Sequence, residues 1–252
     1  MNLLQVQGIS KAFGGVKAVQ QVSFGLQAGE LLALIGPNGA GKSTTFNMVG
    51  GQLPPDSGQV LLNGQSITGL PPRAIWRKGV GRTFQIAQTF ASLSVVENVQ
   101  MALLSADRRI FSGWPRAASH RRSDALALLE QVGMAAQADR PCSALAYGDV
   151  KLVELAMALA HDPLLLLMDE PTAGMAPGER IALMQLTRQL AQQRRMGVLF
   201  TEHSMDVVFG LADRVAVLVR GRLLAEGRPQ AIRDDERVQQ AYLGTGLVLD
   251  KR

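Results

Sequence analysis

Gly36, four intervening residues, then Gly41, Lys42 and Ser43 stand between an apolar run, Leu31 to Ile35, and a stretch with helical spacing. Glycines so placed let a backbone wrap an anion, with successive N–H groups facing phosphate oxygens and the next helix adding its partial positive charge. The cradle is Gly36, Pro37, Asn38, Gly39, Ala40 and Gly41, closed by Thr44; Lys42 reaches the β- and γ-phosphates of a nucleotide, and the Ser43 hydroxyl ligates Mg²⁺. A second apolar run, Leu164 to Met168, delivers Asp169 and Glu170. The exits of buried parallel strands are where open α/β sheets bind ligands. Asp169 is therefore expected to orient Mg²⁺ through its water shell, and Glu170 to polarise an attacking water as general base.

These groups need a scaffold, and the hydrophobic periods supply one. The first thirty or so residues alternate apolar and polar around Gly14 and Gly15, which predicts antiparallel strands joined by a hairpin. Leu31 to Ile35 reads as a short buried strand feeding a helix from about Lys42 to Val49, and "SGQVLLNG" as a strand between turns. From about Ser94 to Ala160 the spacing is helical, interrupted by a loop at Gly113, Trp114 and Pro115. "LLLLMDE" has the continuous apolar character of a strand buried on both faces. A helix through "ERIALMQLTRQLAQQRR", a strand at "GVLFTEH" and another at "RVAVLV", turning back through Arg220, Gly221 and Arg222, complete the pattern. The alternation predicts a largely parallel sheet flanked by helices, with a mainly helical insert between its halves.

Composition narrows the classes. The 252 residues are 47% hydrophobic and 19% charged, ordinary for a chain with a sizeable core. Cys142 is the single cysteine and the three histidines lack metal-ligand spacing, so neither an intrachain disulfide nor a zinc site is indicated. The longest apolar stretches fall short of the roughly 20 residues that span a bilayer, and the first residues show no export signal. The net charge of +5 suits anionic partners; its densest contribution is "RRIFSGWPRAASHRR", residues 108–122. That stretch is either a solvated loop and helix end or a contact for lipid headgroups or an acidic partner loop. No nucleic-acid fingerprint accompanies it.

Five motifs then take their meaning from order: "LIGPNGAGKST", Gln85 in "GRTFQ", "LAYGD" at Leu145 to Asp149, "LLLLMDEPTAGM", and His203 in "FTEHS". In this sequence of motifs the chain resembles the ATPases of ABC transporters over essentially its whole length. The resemblance implies an α/β P-loop NTPase fold of the ABC ATPase type, one domain over residues 1–252. It would comprise a RecA-like core, an N-terminal antiparallel β subdomain and an α-helical subdomain inserted at about 90–160. ATP and Mg²⁺ are the implied ligands. By the same resemblance Gln85 contacts Mg²⁺ or the attacking water, His203 bonds the γ-phosphate, and Phe13 stacks on adenine; the alternative for Phe13 is a core residue of the hairpin. Leu145, Ala146, Tyr147, Gly148 and Asp149 occupy the signature that clasps the γ-phosphate of ATP held by a second subunit. Here the sequence departs from the common Leu-Ser-Gly-Gly-Gln: Ala146 lacks the hydroxyl, Tyr147 replaces glycine and Asp149 replaces glutamine, ahead of a helix starting near Val150. Ala176 stands where the family usually has an aspartate.

Within the family, "LAYG", "DEPTAGM", the stretch from Glu202 to Gly227 and the Arg-rich segment look most like ATPase subunits of branched-chain amino-acid importers. Related cassettes serve urea or amide uptake and lipopolysaccharide export. The expected partners are transmembrane permease subunits, docked on the insert beyond Gln85, and a second ABC ATPase, identical or related. A solute-binding protein takes part indirectly. The expected place is the cytoplasmic face of the plasma membrane, held peripherally. Two rivals are weaker. A soluble ABC ATPase acting on nucleic acid or ribosomes commonly carries two cassettes in one chain or a long coiled-coil insertion, whereas Gln85 to Leu145 is a short span without sustained heptads. A phosphate-loop kinase does not need Glu170 and His203 as water-activating groups.

Overall fold

The computed structural model describes residues 2–83, 89–107 and 121–243. Gln85 and Arg108, Arg109 and Arg116 of the basic stretch lie outside the described residues. The alternating N-terminal segment forms β1 (Leu4–Phe13) and β2 (Val16–Leu26), paired antiparallel through the Gly14 and Gly15 turn. With β3 (Leu31–Ile35), β4 (Ser57–Leu62) and the short β5 (Gln65–Ser66), the first half of the chain contributes both to a peripheral sheet, ordered β2-β1-β4-β5, and to the central one. The central sheet adds β6 (Val80–Thr83), β7 (Leu165–Asp169), β8 (Gly197–Thr201), β9 (Arg214–Val219) and β10 (Arg222–Gly227). Its order is β10-β9-β3-β8-β7-β6, parallel throughout except for β10 against β9.

Period-two geometry divides the core. On the central strands Leu31, Ala33, Ile35, Leu166, Met168, Val198, Phe200, Val215 and Val217 enter one cluster, and Leu32, Leu34, Leu165, Leu167, Leu199, Ala216 and Leu218 enter the other. Both faces are thus covered, which is why these strands read as unbroken apolar runs. Each fully buried Leu or Val contributes about 1.5–3 kcal/mol of burial free energy. The second face carries α1 (Lys42–Val49), through Phe46, Met48 and Val49, and the peripheral sheet, with α2 (Pro72–Arg77) adding Ile75.

The first face carries α3 (Val95–Ala106), α4 (Arg122–Gln131), α5 (Tyr147–Leu159) and α6 (Pro177–Arg194), with α7 (Met205–Leu211). The chain closes with α8 (Pro229–Asp234) and α9 (Glu236–Leu243). α3 to α5 lie between β6 and β7 in sequence and pack on one another, while α5 also touches β6. Ser94 caps α3 reciprocally with Glu97, and the buried Asn98 bonds both backbone groups of Phe90, at 2.7 and 3.1 Å, fastening the segment ahead of that helix. The two described arginines of the basic stretch, both at its C-terminal end, are satisfied within the chain: Arg121 pairs with Asp107 and Asp124, and Arg122 with Asp139. Among the described residues no helix is long and apolar enough to cross a membrane.

One element carries no sequence signal and one expectation is corrected. The edge strand β6 is not legible in the chain, because "VGRT" has neither an apolar run nor clear alternation and becomes a strand only by pairing with β7. The helix of the Leu145–Asp149 signature begins at Tyr147 rather than near Val150, since Ala146 takes an extended conformation, φ −65° and ψ 154°, and acts as its N-cap.

Candidate active site

Strand order makes the site. β8 stands between β3 and β7, so three loops leave the same sheet edge side by side: Gly36 to Gly41 after β3, Asp169 and Glu170 at the end of β7, and Glu202 with His203 after β8. Neighbouring strands lie about 4.8 Å apart. Residues more than a hundred positions distant thereby become adjacent.

The glycine loop is shaped by close backbone approaches. A Cβ on Gly41 would meet the Ala18 carbonyl oxygen at 2.5 Å, and its φ of +97° is the left-handed region that favours glycine. One on Gly36 would meet the Leu218 carbonyl oxygen at 2.2 Å. The loop is tied to the β9–β10 turn by the Gly221 N–H, which donates to the Ala40 carbonyl at 3.0 Å. Lys42, 8% exposed, donates from Nζ to the carbonyls of Gly36 at 2.7 Å and Pro37 at 3.2 Å. Burial pulls its ammonium below the usual lysine range, while the Glu170 and Asp169 carboxylates oppose that shift. Ser43 at the start of α1 is exposed, as are Asn38 and Gly39; Ala40 is buried, and Pro37 and Thr44 are half-buried.

Asp169 accepts a hydrogen bond from the Thr201 hydroxyl at 2.7 Å and faces Arg82 at 3.7 Å. Arg82, on β6, is in turn held by Asn47 at 2.9 Å and lies over the Phe46 ring. Glu170 adopts φ +46°, a conformation that costs a non-glycine residue about 1–2 kcal/mol. Its N–H donates to Thr201, to the carbonyl at 3.2 Å and the hydroxyl at 3.1 Å. The Glu170 carboxylate meets His203 Nε2 at 3.0 Å. Thus Lys42, Asp169, Glu170 and His203 form one cluster. Arg82, Thr172, Thr201 and Glu202 support it, and none of these four was singled out from the sequence. Their traces in the chain are their places in quoted stretches: Arg82 in "GRTFQ", Thr172 in "LLLLMDEPTAGM", and Thr201 with Glu202 in the polar ending of "GVLFTEH".

Ser43 and Asp169 offer hard oxygens, and no group of three or more His, Cys, Asp or Glu among the described residues could cage a metal. That donor set fits Mg²⁺, which takes one or two protein oxygens and completes its shell with phosphate and water.

Phe13 is 51% exposed at the end of β1, which removes the core alternative. The Lys11 ammonium lies 6.0 Å from its ring centroid and is anchored by Asp56 at 2.6 Å. The signature faces a different neighbourhood. Tyr147 is 43% exposed, and a Cβ on Gly174 would touch its ring at 3.5 Å. Gly148 lies against the Glu179 carboxylate, Asp149 accepts from Gln137 at 3.4 Å, and Ala146 is exposed while Leu145 is half-buried. The glycine loop packs instead against Ala18, Val19 and Gly221.

The ABC transporter family profile matches residues 19–173, and a profile described as branched-chain amino acid ATP-binding cassette transporter matches residues 222–248. The high-affinity branched-chain amino acid transport ATP-binding protein LivG of Escherichia coli (strain K12) is 40% identical over 249 residues, covering 96% of this chain and 98% of that protein. The lipopolysaccharide export system ATP-binding protein LptB of the same organism is 35% identical, covering 97% and 98%. A crystal structure of an ABC transporter ATP-binding cassette in its ADP conformation superposes with a TM-score of 0.88 at 31% identity, covering 97% of this chain and 99% of that one.

Proposed function

This chain belongs to the ABC transporter ATPase family, and from that premise we propose that it is the ATP-hydrolysing subunit of an importer for branched-chain or related amino acids. The observation that carries the reading is the meeting of Lys42, Asp169, Glu170 and His203 at the ends of three adjacent strands. The likeness to LivG and the profile match at residues 222–248 favour branched-chain amino acids over lipopolysaccharide export as the task.

In this reading Phe13 stacks on adenine and the glycine loop with Lys42 holds the phosphates. Ser43 and Asp169 hold Mg²⁺, which supplies charge neutralisation on the phosphate oxygens when bound; Gln85 joins them. The Glu170 carboxylate takes a proton from water as the water oxygen bonds to the γ-phosphorus, and the bond from that phosphorus to the ADP oxygen breaks. His203 holds the γ-phosphate in line. Leu145 to Asp149 face the nucleotide of a second cassette, so that ATP favours a closed pair by contacts that exist only in that state. Opening after hydrolysis is passed to separate membrane-spanning permease subunits through the helical segment 90–160, at the cytoplasmic face of the membrane.

Two measurements test this. Purification from the native membrane should bring down permease subunits, and the reconstituted complex should drive ATP-dependent uptake of labelled leucine; extraction of lipopolysaccharide without amino-acid uptake would reverse the assignment. Phe13→Ala should raise KM for MgATP about tenfold with kcat little changed, since stacking on an exposed ring contributes about 1–3 kcal/mol per base. An unaltered KM would remove Phe13 from the nucleotide site.

A further inference from the structure

The loops carrying Glu170 and His203 are joined by a side chain that the reading above gives no task. Glu202 follows β8 and is 4% exposed. Its Oε1 accepts from the Thr172 N–H at 3.0 Å and from the Thr172 hydroxyl at 2.5 Å. Its Oε2 accepts from the N–H of His203 at 3.0 Å and of Ser204 at 3.3 Å. One oxygen therefore holds the loop after β7 and the other holds the loop after β8. An ionised carboxylate is acceptor-only, so it can satisfy all four donors together, whereas an amide of the same shape turns N–H groups toward one pair of them.

We propose that Glu202 is a positioning residue for ATP hydrolysis: it clamps the two loops so that the Glu170 carboxylate and the His203 imidazole keep their 3.0 Å contact. The proposal rests on the reading of Glu170 as base and His203 as the γ-phosphate partner. The backbone makes the need for a clamp concrete. Glu170 sits at φ +46°, a conformation that persists in a non-glycine residue only where the surroundings enforce it. Thr201 bonds the Glu170 N–H from one side, and two residues further on Glu202 bonds Thr172. A loop held at both points cannot relax toward an ordinary φ. Without the second hold, Glu170 can withdraw from His203. The bonds of Glu202 run to Thr172, His203 and Ser204, whereas the glycine loop, Lys42 and Phe13, the main nucleotide anchors in the reading above, make none with it, so the clamp is expected to act on turnover far more than on binding.

The test is Glu202→Gln in the complete subunit. Turnover should fall at least about 30-fold, the scale on which sub-ångström misplacement of a reacting group is felt. KM for MgATP and the dissociation constant of a fluorescent ATP analogue should both stay within about threefold. On a His203→Ala background the same substitution should cost less than about threefold, because the pair it aligns is already broken. A carboxylate needed only for folding would weaken nucleotide binding in step with turnover, or cost the same factor in both backgrounds; either result overturns the proposal, as does near-parental turnover in Glu202→Gln. Should that variant fail to fold, Thr172→Val deletes one of the four donors and should lower kcat about fivefold at constant KM; an unchanged kcat there overturns the proposal equally. If Glu170→Gln and His203→Ala each retain full turnover, the reading of the site fails and the clamp with it. If those two lose turnover while Glu202→Gln does not, the clamp alone fails.

Discussion

Glu170→Gln lowers ATP turnover by at least about a hundredfold, the low end of what a positioned general base supplies, and leaves nucleotide affinity nearly intact. The substitution is nearly isosteric, and glutamine can still meet His203 Nε2 at the 3.0 Å that separates the two side chains. The unusual backbone of residue 170 is held through its own N–H by Thr201, which the change does not touch. What is lost is the ability to accept a proton from water. Binding without hydrolysis should then accumulate the closed pair, seen as an ATP-dependent shift from one subunit to two in light scattering. Turnover within about threefold of the parent would exclude Glu170 as the base.

Lys42→Ala removes nucleotide binding itself. The ammonium is buried and already oriented, held by two loop carbonyls at 2.7 and 3.2 Å, and it stands close enough to Asp169 and Glu170 to feel both charges. Each charge-assisted hydrogen bond from it to phosphate is worth about 1.5–3 kcal/mol. Two such bonds correspond to at least about a hundredfold in affinity, read by titration with a fluorescent ATP analogue. The alanine also leaves the carbonyls of Gly36 and Pro37 without their donor and removes one positive charge from beside Asp169 and Glu170, so repulsion of the phosphates adds to the loss. The two core clusters do not use Lys42, and cooperative thermal unfolding should persist. ATP affinity within about threefold of the parent would show that the phosphates do not lie on this loop.

The two variants separate the halves of the site, and those halves were not equally legible. Local signals marked the nucleotide loop: the glycine spacing from Gly36 to Gly41, the apolar strand ahead of it and the helix behind it are contiguous, and the helix spans Lys42–Val49 as its spacing predicts. The runs that became β3, β7, β8 and β9 were legible for the same reason, since a strand covered on both faces must be apolar at every position. β6 was not, because its four residues include Gly81 and Arg82 and its pairing depends on a partner strand more than eighty residues later.

The sequence by itself determined the glycine spacing ahead of Lys42, the strand that ends in Asp169 and Glu170, the hairpin and the parallel core, and the family to which they belong. Only the tertiary structure decided that β8 lies between β3 and β7, that Phe13 is exposed, that Arg82 reaches Asp169 and that Glu202 is enclosed by four donors. The reason is the range of the forces. Spacing and periodicity act within one element and leave their trace in consecutive residues. The order of strands and the hydrogen bonds between loops are chosen by packing among distant segments, so a buried carboxylate such as Glu202 looks, in the chain alone, like any polar residue at the end of a strand.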